Sequence, residues 1–305
     1  MKYNPHGDQI MMLRTDDTSD LVFDWTADRP FDIPDLDNFP IRLDFGEKEM
    51  VDRILGIDVS KWQGLWDWEN AEAAGVHFAF IRAGSINNAT GACYKDNQFN
   101  NNALIAPEYM PVGFYWYFRP NHSAAKQADY FSELIMPENW IMPPVMDLED
   151  SGGLSSNDVS LAAEKFCTRV YKNTTVWPLL YSRSFFLHDQ TKPNPIWDNL
   201  DLWIARYTLT KPEPWGNSGD SDKLKPPYHD DWTFWQYSMR GDAKLYGGKG
   251  PPLGDDDVDL NWFNGDLDAL HKYLGIFEKP ELPETIGVSL DVNGVKYQGH
   301  VEMVE

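Results

Sequence analysis

Three stretches of the chain set carboxylates among apolar residues, where an ionised group costs free energy unless it is paired or put to use. The first is Gly56-Ile57-Asp58-Val59-Ser60-Lys61-Trp62-Gln63-Gly64, in which Asp58 interrupts an apolar strand candidate. The second is Pro143-Pro144-Val145-Met146-Asp147-Leu148-Glu149-Asp150. Asp147 and Glu149 are two positions apart there, so on an extended chain they face the same side. The third is Asp255-Asp256-Asp257-Val258-Asp259-Leu260-Asn261, with Asp259 between two apolar neighbours. Two carboxylates on one face repel, and one of them then keeps its proton to higher pH, as a general acid working near neutrality must. Each stretch also has a plainer reading. Asp58 alone reads as a turn cap, Asp147 to Asp150 as a solvated acidic turn, and Asp255–Asp257 as a solvated loop or a cation site. The plain reading is weakest for Asp147 and Glu149, because the strand before them should be buried.

The elements that must carry these acids alternate in type. Apolar strand candidates are Ile54–Val59, Phe78–Ala83, Val112–Phe118, Pro144–Leu148, Val176–Ser182, Leu202–Tyr207, Thr233–Ser238 and Val258–Leu260. Helical patterns lie between or after them at Trp68–Ala74, Lys95–Ile105, Ala124–Ile135, Asn157–Lys172 and Leu267–Leu274, with Ser156 the expected cap of the fourth. About eight such units imply an α/β fold, a modified (β/α) TIM-like barrel of parallel strands with reactive side chains at the strand ends. The Pro-, Gly- and Asp-rich stretch Lys211–Tyr228 predicts an incomplete or distorted barrel near its end. Outside it, residues 1–51 read as an acidic, proline-punctuated arm and residues 278–305 as a linker and a β-hairpin, leaving 52–277 for the barrel. The hairpin signal is Asn293-Gly294 between alternating runs.

Composition narrows the partners. A net charge of −22 argues against nucleic acid and against anionic membranes. No apolar run is long enough to span a bilayer, and Met1 to Asp20 lacks the pattern of a secretory signal, so synthesis in a reducing cytoplasm is expected. Cys93 and Cys167 cannot form a disulfide framework. Aromatic residues make up 14% of the chain, a surplus that fits core filling first and the lining of a sugar-binding groove second. No metal or organic cofactor is needed.

Taken in order, Gly56 to Gln63, Gly113-Phe114-Tyr115-Trp116-Tyr117-Phe118, Asp147-x-Glu149, Leu179-Leu180-Tyr181-Ser182, Leu202-Trp203-Ile204-Ala205-Arg206-Tyr207, Trp235-Gln236-Tyr237-Ser238 and Val258-Asp259-Leu260-Asn261 resemble glycoside hydrolase family 25, the Chalaropsis-type lysozymes found among phage endolysins and other muramidases. The resemblance spans roughly residues 54 to 275. It implies a muramidase that cleaves the β-1,4 bond between N-acetylmuramic acid and N-acetylglucosamine in bacterial peptidoglycan. By the same resemblance Glu149 is the general acid, and Asp147 orients the substrate's own N-acetyl group as nucleophile. Asp58 and Asp259 are outer carboxylates that bind substrate and tune the pair. Tyr115, Tyr181, Trp203, Trp62, Gln236 and Asn261 form the substrate-binding set. The segment Ile81-Arg82-Ala83-Gly84-Ser85 departs from the family's pattern after the second strand.

Carboxylate spacing does not itself fix the stereochemistry. Retention generally takes about 5–5.5 Å and inversion about 6.5–9.5 Å. Same-face strand neighbours are about 6.5–7 Å apart at the backbone. Substrate-assisted retention follows from the resemblance alone. Three settings stay open: a free endolysin, a virion-borne structural protein whose terminal elements dock to a phage particle, and a silent glycan-binding barrel. Four inward carboxylates argue against the last.

Overall fold

A computed structural model describes residues 53–207, 225–251 and 254–276, together with the backbone of 285–292 and 295–302. The acidic arm, most of the irregular stretch after Lys211 and the Asn293-Gly294 turn lie outside these residues.

Eight strands close a barrel. In order around it they are β1 (Ile54–Val59), β2 (Val76–Ile86), β4 (Val112–Tyr117), β5 (Val145–Asp147), β6 (Leu179–Ser182), β7 (Leu202–Ala205), β8 (Phe234–Asp242) and β9 (Asp257–Phe263), with β9 returning to β1. Six successive pairings are parallel, from β1–β2 to β7–β8. The two that involve β9 are antiparallel. The barrel is therefore closed rather than incomplete, and among the described residues it departs from regularity by one reversed strand and by register shifts in the β1–β2, β2–β4 and β8–β9 pairings. A short β3 (Cys93–Lys95) pairs with the end of β2 where the sequence suggested the start of a helix; α2 begins only at Phe99 and runs to Ile105. β10 (Thr285–Val292) and β11 (Val295–Glu302) pair antiparallel in a separate two-stranded sheet, with Val292 opposite Val295.

The helices α1 (Trp68–Ala73), α2, α3 (Ala124–Ile135), α4 (Ser156–Thr174), α5 (Ser184–Gln190) and α6 (Leu267–Leu274) connect or follow the strands. The cap of α4 is Ser155, one residue earlier than expected: its hydroxyl accepts from the Asp158 N–H at 3.2 Å. Ala128, Phe131 and Ile135 of α3 and Val159, Ala163 and Phe166 of α4 repeat at helical spacing and are all buried in the layer between helices and barrel.

Strand alternation sorts side chains between that layer and the interior. On β2, Ala79 and Ile81 belong to the outer layer, whereas Phe78 and Phe80 fill the barrel. On β1, Ile57 and Val59 likewise leave the inward positions to Gly56 and Asp58. Gly56 is required: a Cβ there would lie 2.2 Å from the Phe78 ring. Phe78, Phe80, Val145, Leu179, Phe234 and Phe263 plug the lower barrel. Trp203 sits above them, stacked on Phe80 with ring centroids 4.2 Å apart and 21° between planes. Inward positions one step further along the strands are polar, and these form the mouth.

Candidate active site

Asp58, Asp147, Glu149 and Asp259 line one cavity of about 240 Å³ at the mouth. A larger cleft of about 650 Å³, between α3 and α4, contains none of them. Three of the acids come from parallel strands. Asp259 arrives differently, from the first half of the reversed strand β9, where it stands directly opposite Asp58 of β1.

Backbone pairing fixes the central pair. Asp147 is the last residue of β5, in register with Tyr117 on one side and Tyr181 on the other. Pairing continues past the strand: Phe118 N–H donates to the Asp147 carbonyl and Leu148 N–H to that of Tyr181, both at 2.9 Å. Ser182 Oγ donates to the Leu148 carbonyl at 2.6 Å. Glu149 follows two residues on and lines the same cavity. Asp150 belongs elsewhere, bound to Arg119 at 2.7 Å and accepting from Gly152 N–H at 2.8 Å. The acidic-turn reading thus holds for Asp150 alone.

The two members of the pair differ in surroundings. The Asp147 side chain is buried and its Oδ1 has no hydrogen-bond partner among the described residues. Burial, and next the charge of Glu149, holds its pKa well above the usual carboxylate range. Glu149 is half-buried, and Arg183 Nη2 lies 3.4 Å from its Oε2. Burial raises its pKa too, opposed by Arg183 and then Arg82. Both members are pushed toward the protonated form, the deeper Asp147 more strongly.

The outer pair is bound to a polar network. Asp58 Oδ2 accepts from Gln236 Nε2 at 2.8 Å and from Asn261 Nδ2 at 2.9 Å. Asn261 Oδ1 accepts from Trp203 Nε1 at 2.8 Å, and Gln236 Oε1 from the hydroxyls of Tyr181 at 2.8 Å and Tyr207 at 3.0 Å. Burial raises Asp58 to about 6 in spite of these hydrogen bonds. Burial first, and then the charge of Asp58, raises Asp259 to about 9.

The candidate substrate residues fall into two groups. Trp62 is 59% exposed at the rim, with the Lys61 ammonium 4.5 Å from its ring centroid, and Tyr115, Tyr181, Trp203 and Gln236 line the cavity. Asn261 is fully buried beneath it, and its amide is spent on Trp203 and Asp58. Sequence reasoning missed Arg82, Tyr117, Arg183 and Tyr207, which also line the cavity. A signal was available for the arginines: Arg82 interrupts an apolar strand and Arg183 directly follows one, positions like those that drew attention to the acids. In the third stretch Asp256 pairs with Lys244 at 3.3 Å, and among the described residues no three His, Cys, Asp or Glu side chains are grouped to hold a metal ion.

The sequence signature described as Glycosyl hydrolases family 25 matches residues 57–244. Lysozyme M1 of Streptomyces globisporus is 32% identical over 224 residues, covering 70% of this chain and 68% of that one. Protein YegX of Escherichia coli K12 is 31% identical over 234 residues, covering 74% and 76%. The crystal structure of the bacterial lysozyme from Streptomyces coelicolor superposes with a TM-score of 0.58 at 28% identity, covering 74% of this chain and 97% of that one.

Proposed function

The chain belongs to glycosyl hydrolases family 25 and is a glycoside hydrolase; from that premise we propose that it is an N-acetylmuramidase, cleaving the β-1,4 bond from N-acetylmuramic acid to N-acetylglucosamine in peptidoglycan. Its lysozyme relatives support the substrate class. The observation that carries the mechanism is the Asp147–Glu149 pair, with a buried carboxylate oxygen on Asp147 that lacks a donor.

A buried unsatisfied acceptor costs about 1–3 kcal/mol. The N–H of a substrate 2-acetamido group is the donor that fits. Once it binds, the hydrogen bond stabilises the charged form of Asp147 and draws its pKa down. The proton shared by the pair then resides on Glu149, the more exposed member. Glu149 gives that proton to the glycosidic oxygen as the C1–O bond breaks. The acetamido carbonyl oxygen, oriented through its N–H by Asp147, attacks C1 and forms a cyclic intermediate. Water then adds to C1, Glu149 takes back a proton, and configuration is retained. Trp62 supplies an exposed ring on which a sugar can stack.

Digestion of purified peptidoglycan with mass spectrometry of the reduced products tests this. New reducing muramic-acid ends are expected. Reducing glucosamine ends would overturn the assignment.

A further inference from the structure

The outer carboxylates are not equivalent, and the network around Asp58 decides how they differ. An indole N–H can only donate. Trp203 Nε1, 2.8 Å from Asn261 Oδ1, therefore fixes the Asn261 amide so that its NH₂ group faces Asp58. Asp58 Oδ2 receives that N–H and a second from Gln236. Two amide donors on one carboxyl oxygen favour the ionised form of that carboxyl. Asp259 stands opposite Asp58 on the neighbouring strand, and the two carboxyls are hydrogen-bonded. A hydrogen bond between two carboxyls needs one proton, and the two amide donors favour Asp58 as its acceptor.

We propose that Asp58 and Asp259 form a dyad sharing one proton, with the charge on Asp58 and the proton on Asp259, so that Asp259 serves as a neutral donor that positions Asp58. Charge in the cavity agrees. Glu149 and Asp257 both act on Asp259 to disfavour its ionised form, and Glu149 does the same at Asp58. With one proton in this pair and, as the proposed mechanism requires, one in the Asp147–Glu149 pair, four acids carry two charges, matched by Arg82 and Arg183, which line the same cavity. An electrically balanced mouth suits an uncharged sugar backbone inside a chain of net charge −22. The hydrogen bonds favour this location of the proton; its value to turnover rests on the muramidase reading.

Carboxyl-carbon NMR of protein labelled at aspartate tests the dyad without any substrate, so it reports even if the protein proves inactive on peptidoglycan. The signal lost in Asp259→Asn should be that of a protonated carboxyl at pH 7, titrating near pH 9; the signal lost in Asp58→Asn should be ionised at pH 7. An ionised Asp259 at pH 7 overturns the proposal. The second readout is rescue. Asparagine keeps an N–H donor toward Asp58 and alanine does not, so Asp259→Asn should be at least tenfold more active than Asp259→Ala. Equal activity of the two folded variants contradicts the donor role.

Discussion

The guanidinium of Arg183 lies 3.4 Å from the carboxylate of Glu149, at the end of the strand next to the one that carries the acid. Its charge favours ionised Glu149 and so opposes the burial that raises the Glu149 pKa. Removing the charge should move that pKa further up. Activity that depends on protonated Glu149 falls as pH rises through its pKa. The alkaline limb for Arg183→Gln should therefore shift upward. A pH–rate profile on purified cell walls checks this, with Arg183→Lys restoring most of the original limb.

The outer acids make stability depend on pH. Asp58 and Asp259 have folded pKa values of about 6 and about 9 against 3.8 for the free side chain. Between those values the folded state binds more protons than the unfolded one, so stability falls as pH rises. The contribution is complete below about pH 4 and is lost as pH passes through about 6 and then about 9. Thermal unfolding between pH 4 and 10 should show the midpoint falling with pH, and Asp259→Asn should flatten the alkaline part of that fall.

Gly56 should tolerate no side chain. Its missing Cβ is the space taken by the Phe78 ring, at the foot of the barrel beneath the acids. Gly56→Ala should lower stability by about 1–3 kcal/mol, the usual cost of overpacking. Denaturant titration measures it, and Gly56→Ala combined with Phe78→Leu should recover part of the loss.

Much of this site is readable from strand periodicity. Asp58, Asp147 and Glu149 are inward because their apolar neighbours Ile57, Val59, Met146 and Leu148 occupy the alternate positions. Periodicity carries no strand direction, however. Asp259 was legible as an inward acid, whereas its arrival on an antiparallel strand, which sets it opposite Asp58, was not. Nor does a sequence say where an amide points. Asn261 and Gln236 stand in motifs that suggest contacts with sugar, yet both turn their NH₂ groups toward Asp58. The cap at Ser155 and the strand β3 were displaced or missed because adjacent serines read alike and a three-residue strand has no period of its own.

The boundary at the start of the barrel is testable. We propose that residues 1–50 form an element separable from it, since β1, which begins at Ile54, is held between β2 and β9. A chain lacking those residues should unfold within a few degrees of the full-length protein by calorimetry. Failure of the shortened chain to fold would mean that the barrel extends into the arm.

The role of Glu149 admits the most direct test. Digestion of purified peptidoglycan by Glu149→Gln, with muropeptides resolved by mass spectrometry and folding checked by circular dichroism, should show a loss of at least a hundredfold in new muramic-acid reducing ends from a protein that is natively folded. Cleavage by that variant at a rate near that of the original protein would contradict the assignment of Glu149 as the proton donor.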